Sequence, residues 1–169
     1  MAVHITTAAI RQLREKTGAG VMDVKRALES SGGDMEVAET SLREKGLAAA
    51  LKRAGKSASE GVVNAYIHQG GRIGSMVELN CETDFVARTE EFQNVAHNIA
   101  MQVAAMAPSF LDHESIPSEQ NDVADEQLLM EQDYIRDPSV KVRDLIMQLS
   151  AKTGEKVQIG RFTRFELGQ

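Results

Sequence analysis

The sequence predicts an α+β fold in two parts: a three-helix N-terminal bundle, then a core of three-stranded antiparallel sheet packed against long helices. Three observations predict it. Apolar residues recur at helical spacing through the first 56 residues. The period then drops to two across residues 62–80 and again over the last dozen residues. Between these alternating stretches lie two long amphipathic segments.

In chain order, the first helix is expected over Thr7–Lys16, with Thr6 as N-cap and Gly18 just past its end. Ile10, Leu13 and Thr17 share one face. A second runs Met22–Ser30, with Val24, Ala27 and Leu28 on one side and Gly32-Gly33 closing it. A third starts from an Asp34 cap and stops at Gly46, with Val37, Ala38, Ser41 and Leu42 turned inward. An Ala-rich helix is expected over 47–54, which completes a first domain, 1–54. Small and polar residues 55–61 read as a linker.

Residues 62–169 form the second domain. Val62, Asn64, Tyr66 and His68 alternate with Val63, Ala65 and Ile67. Gln69-Gly70-Gly71-Arg72 supplies a tight turn, and Ile73–Asn80 returns as the second strand of a hairpin. A long helix capped by Thr89 carries Phe92, Val95, Ala96, Ile99, Val103 and Met106 on one face until Pro108. The acidic stretch Asp112–Asp125 reads as a loop with one short helix. Asp137-Pro138 is expected to open the second long helix, with Val142, Leu145, Ile146 and Leu149 as its buried stripe and Gly154 as its stop. The C-terminal strand alternates Val157, Ile159, Arg161, Thr163, Phe165 and Leu167 on one face.

Charge and composition narrow the function. Residues 1–56 hold 10 Lys/Arg against 7 Asp/Glu, and residues 57–169 hold 9 against 18, giving the overall −6. An acidic main body argues against phosphate-backbone binding, so no direct nucleic-acid partner is expected. No apolar run approaches the roughly 18 residues of a membrane span, and MAVHITTAAI lacks the pattern of a signal peptide. The expectation is a cytoplasmic protein. Cys81 is the single cysteine and reads as a buried thiol in a reducing compartment. His4, His68, His97 and His113 are dispersed without metal-ligand spacing, so neither metal nor cofactor is expected. Gly18-Ala19-Gly20 follows a helix and lacks a Gly-Lys-Ser/Thr ending, so it is a helix–helix turn and not a phosphate cradle.

One stretch stands apart: Glu82-Thr83-Asp84-Phe85-Val86-Ala87-Arg88, between the hairpin and the long helix. The chain has five Phe, two Tyr and no Trp, so an aromatic here is notable. Phe85 either folds back over the core or stands out as an anchor beside a carboxylate. Periodicity leaves both open. Glu82 and Asp84 as an acid–base pair is a weaker reading, because no third group completes such a site.

Two stretches carry a family resemblance. Arg14-Glu15-Lys16-Thr17-Gly18-Ala19-Gly20-Val21-Met22-Asp23-Val24-Lys25-Arg26-Ala27-Leu28 is similar to the N-terminal signature of elongation factor Ts. Val77-Glu78-Leu79-Asn80-Cys81-Glu82-Thr83-Asp84-Phe85-Val86-Ala87-Arg88 resembles its second signature, and Arg161–Gly168 looks like its C-terminal strand. The resemblance implies a guanine-nucleotide exchange factor for the translational GTPase elongation factor Tu, with no covalent chemistry and therefore no enzyme in the hydrolytic sense. It implies that the bundle is ubiquitin-associated-like and docks through Leu13, Val21 and Met22. Thr83, Asp84, Phe85 and Val86 would displace the partner's magnesium, with Phe85 as wedge, and Ile73 and Gly74 would add a further contact. The chain has one sheet-and-helix module where longer members have two, and it is shorter than one-module members between Pro117 and Tyr134. One-module members pair, so a homodimer is implied. Gln102 stands where relatives often present His. The alternative is a ubiquitin-associated-like interaction adaptor that exchanges no nucleotide.

Overall fold

The computed structural model describes residues 5–120 and 122–168; His4 lies outside them. It divides into two compact units, the first holding residues up to Gly55 with Gln148–Glu155, the second holding Lys56–Met147 with the C-terminal stretch from Lys156.

The first unit is built on helices α1 (Thr7–Thr17), α2 (Val21–Ser30) and α3 (Met35–Lys52). Their ends follow capping chemistry. The Thr6 hydroxyl accepts from the Ala9 amide, and the Asp34 carboxylate accepts from those of Glu36 and Val37. Gly18 ends α1 in the left-handed conformation at φ 69°. Leu13, Val24, Leu28, Ala38 and Leu42 form the core, with Ile5, Ile10, Ala27 and Met35 packed around it. The Asp23 carboxylate bonds Lys45 at 2.5 Å and so ties α2 to α3; that bond, with the lysine's charge, holds the carboxyl below its usual range.

Several expectations change here. Helix α3 runs through Gly46 to Lys52 and absorbs the separate helix expected over 47–54. Gly46 does not stop it, because the residue serves a close approach: a side-chain carbon there would sit 3.0 Å from the Ala151 methyl. Val37 and Ser41 face solvent, since Ala38 and Leu42 already fill the inward face.

In the second unit β1 (Glu60–Ile67) and β2 (Ile73–Cys81) form the hairpin, turning through Gly70 and Gly71 at φ 93° and 67°. A one-turn helix, α4 (Asp84–Ala87), and the long α5 (Glu90–Met106) follow. Further on come β3 (Asp133–Tyr134), β4 (Asp137–Lys141), α6 (Val142–Thr153) and β5 (Gln158–Glu166). The main sheet is antiparallel in the order β1-β2-β5, so β2 is central. Helix α5 packs across it, burying Phe92, Ala96, Ile99 and Val103 over Val77, Leu79 and Cys81. The buried Ser75 hydroxyl donates to the Ala100 carbonyl at 2.6 Å, joining strand to helix. Met106, expected on that face, is largely exposed at the helix end.

Two further corrections have clear causes. Asp137-Pro138 does not open a helix. It belongs to β4, which pairs with β3 across the turn at 135–136, and α6 begins only at Val142. Proline suits such an edge position, where its missing N–H costs no ladder bond. The C-terminal strand also fails to keep one face. Leu79 pairs with Ile159 and Glu78 with Arg161, which leaves Gly160 as an extra residue. This bulge puts Val157 and Ile159 in the core but turns Arg161, Thr163 and Phe165 to the open face. No helix among the described residues is long and apolar enough to cross a membrane.

Candidate functional site

Strand β2 ends at the buried Cys81, and the chain must leave the sheet before α5 can begin. It does so through α4. Thr83 is extended, at φ −131° and ψ 153°, and serves as its N-cap residue. Its carbonyl accepts from the Ala87 amide at 3.3 Å and from the Cys81 thiol at 3.1 Å. The Asp84 carbonyl accepts from the Arg88 amide at 3.1 Å, and the Thr89 hydroxyl donates to the Val86 carbonyl at 2.8 Å.

One turn of helix gives its side chains different fates. Ala87 is buried, Thr83, Asp84 and Val86 are half-buried, and Phe85 is 79% exposed. Phe85 therefore does not fold back over the core. It is the most exposed large apolar side chain among the described residues. Asp84 pairs with Arg88 at 2.9 Å, whereas the Glu82 carboxylate turns away and accepts from the Lys156 amide at 2.7 Å. The two acids thus serve separate partners and do not form a pair. The Cys81 thiol, read from sequence as merely buried, acts as a donor to the tip.

The other expected contact residues are dispersed. Val21 and Met22 open α2 in the first unit and are exposed, Met22 at 61%. Leu13, expected on a docking face, is fully enclosed in the bundle core. Its helical spacing could not separate the two roles. Ile73 is half-buried and Gly74 buried at the start of β2, the opposite end of that strand from the tip. At about 3.3 Å per residue the strand holds these two ends roughly 25 Å apart. Gly74 leaves room for the Ile67 side chain, whose terminal carbon would lie 2.7 Å from any added Cβ.

Comparison with known proteins now bears on this arrangement. A family profile described as Elongation factor TS matches residues 36–125, a span that contains the hairpin, the tip and α5. The chain is 47% identical to an Elongation factor Ts of Carboxydothermus hydrogenoformans, over 98% of this chain and 90% of that protein. It is 45% identical to one from Thermotoga petrophila, over 99% of this chain and 98% of that protein. The chain belongs to the elongation factor Ts family. Its role lies in translation elongation.

The alignment to the Carboxydothermus elongation factor Ts spans 195 positions, while 98% of this chain's 169 residues is about 166. About 29 positions, the difference, are therefore residues this chain lacks. Residues 117–134 are crossed here with two short 3-10 turns, Asp125–Gln127 and Leu129–Glu131. Behind them Leu128 and Leu129 are fully buried, and the Leu129 amide donates to the Phe110 carbonyl at 2.9 Å.

Gln102 explains how this segment is held. It is fully buried on α5. Its amide nitrogen donates to the Gln132 side chain at 3.0 Å and to the Asp133 carbonyl at 3.1 Å. Its oxygen accepts from the Ile135 amide at 2.7 Å. The side chain faces the interior and makes no surface for a partner. Its chemistry is that of an amide with both ends satisfied, a fit that the sequence pattern of an apolar helix face does not disclose. Gln102→Ala leaves a buried N–H and a buried side-chain oxygen without their partner. Urea unfolding should show a loss of about 2–3 kcal/mol with an unchanged m-value. A loss below about 0.5 kcal/mol, the scale of a surface change, would contradict this assignment.

Proposed function

We propose that the chain is a guanine-nucleotide exchange factor that binds elongation factor Tu in its GDP state and speeds GDP release, acting in the cytoplasm. The observation that carries this reading is the exposure of Phe85 on a turn held at the end of the central strand. An aromatic left in water has no folding benefit there, and aromatics dominate the energetics of interfaces. Thr83, Asp84, Phe85 and Val86 form the tip that disturbs the magnesium and phosphate site of the GTPase. Val21 and Met22 on the bundle, with Ile73 and Gly74 at the far end of β2, supply the remaining contacts.

The physical logic needs no covalent step, so the activity is not an enzyme reaction on a substrate. Magnesium and backbone N–H groups hold the diphosphate by compensating its charge. A tip that displaces the metal leaves that charge uncompensated, and the nucleotide leaves faster. Factor and nucleotide then weaken one another by the same coupling free energy. Residues 1–54 would act as a docking domain, 55–61 as a linker, and 62–169 as the exchange core.

The core also offers a dimerisation face. On the side of the sheet away from α5, the register aligns Ala65 with Met76, and Ile67 with Gly74 and Phe165. Ile67, Met76 and Phe165 are exposed there, next to Val63. A patch of this kind marks an interaction site. A second copy is the occupant, packed sheet on sheet as in a sandwich. The Glu78–Arg161 pair, 2.7 Å apart at one end of the face, presents both charge signs to a two-fold mate.

Phe85→Ala should slow elongation factor Tu's release of fluorescent GDP by about 30-fold, the rate equivalent of an aromatic hot spot. Thermal stability should stay within about 0.5 kcal/mol of the parent, because the side chain is exposed. Unchanged release would remove the exchange reading and favour an adaptor that works through its bundle alone. Light scattering should give twice 18.5 kDa for the parent chain and a monomer for Phe165→Glu. A monomeric parent at micromolar concentration would refute the dimer.

A further inference from the structure

A helix of one turn does not persist in water by itself, because nucleation is unfavourable and almost none of its backbone groups have internal partners. What holds α4 therefore decides where Phe85 points. Besides the local bonds at Thr83, Asp84 and Val86, the tip is tethered from outside it through Gln93 and Glu82. The Gln93 amide, one turn into α5, donates to the Ala87 carbonyl at 2.7 Å. Ala87 is the last residue of α4, so its carbonyl is one of those left without an intrahelical partner. At the other end, the Glu82 carboxylate accepts from the Lys156 amide at 2.7 Å, across 74 residues of sequence. Lys156 sits just ahead of β5, so this bond clamps the exit from β2 to the entry of the C-terminal strand. A carboxylate accepting a backbone N–H makes a charge-assisted bond, stronger than a neutral one.

We infer that Glu82 and Gln93 are the positioning residues of the exchange tip: the two clamps fix α4 from behind so that Phe85 projects into the partner. This rests on the exchange reading of the tip. Both side chains are half-buried and bond inward with the atoms named, while Phe85 faces out. Their contribution lies in the release step, which the tip performs, and not in the affinity with which the rest of the chain docks. Loosening either clamp lets the turn sample orientations that cannot reach the metal site, which lowers the competent fraction.

The test is GDP release from elongation factor Tu titrated with the full chain carrying Glu82→Ala, Gln93→Ala or Glu82→Gln, with Phe85→Ala in parallel. Each alanine variant should lower the maximal release rate about five- to tenfold, the rate equivalent of a lost hydrogen bond. The half-saturating concentration should move by no more than about twofold, as expected of a transition-state effect. Glu82→Gln keeps an oxygen that accepts from Lys156 and should restore most of the rate. Hydrogen exchange of the free variants should show the Ala87, Arg88 and Thr89 amides exchanging faster while those of β2 and α5 keep their protection.

Full maximal rates in Glu82→Ala and Gln93→Ala, beside a slow Phe85→Ala, would overturn the inference and leave the exchange reading standing. So would a raised half-saturating concentration at an unchanged maximal rate, because that marks a contact surface. Loss of protection spread evenly over β2 and α5 would make the two residues core supports and also overturn it. A full rate in Phe85→Ala would remove the exchange reading itself.

Discussion

The central place of β2, paired along both edges from Gly74 to Asn80, is the constraint on which the rest of the core depends. A strand paired on both sides cannot slip by one residue without sending Val77, Leu79 and Cys81 out of the core. Its two ends are therefore fixed points. One carries Ile73 and Gly74 and the other launches the tip. The Cys81 thiol extends this control one step past the sheet, since it donates to the carbonyl from which the turn is built.

Helix α5 supplies the second half of the arrangement. Small residues let it approach the sheet closely: Ala96, Ala100 and Ala104 are buried, and the Ser75 hydroxyl meets the Ala100 carbonyl. Because the helix is seated by that packing, its first turn is a firm base. The Thr89 hydroxyl caps it by accepting from Phe92, and Gln93 reaches back to Ala87. On its far half Gln102 serves the 132–135 hairpin in the same manner. One helix thus braces both the tip and the excursion after Pro108. The open face of the sheet shows the complementary economy: Gly160 turns the apolar alternation of β5 outward, where Phe165 joins Ile67 and Met76.

Much of this was legible in the sequence, wherever a local rule acts alone. Thr6, Asp34 and Thr89 cap helices as their side chains dictate, Gly70-Gly71 makes the hairpin turn, and the tip lies between the elements that bound it. The failures share a cause: tertiary contact overrode a local signal. Gly46 reads as a stop, yet the helix continues because Ala151 needs the space. Pro138 reads as a helix start but sits on an edge strand. The alternation of β5 is regular in sequence and broken in space by a bulge that only its partner strand defines. Leu13 and Phe85 mark the limit at the site. Both are apolar residues that the family resemblance points to as contacts, and only the fold shows one enclosed and the other in water. The clamps at Glu82 and Gln93 join residues 74 and 6 positions from their partners, with no pattern to announce them.

The central claim is a coupling between this chain and a nucleotide on its partner, and coupling is reciprocal. The most direct measurement is calorimetric titration of the chain into elongation factor Tu, once nucleotide-free and once loaded with GDP and magnesium. The account predicts binding to the nucleotide-free form about tenfold tighter or more, within the usual range of such couplings. Equal affinity for the two forms would contradict it, because a ligand that binds both states alike cannot shift the nucleotide equilibrium.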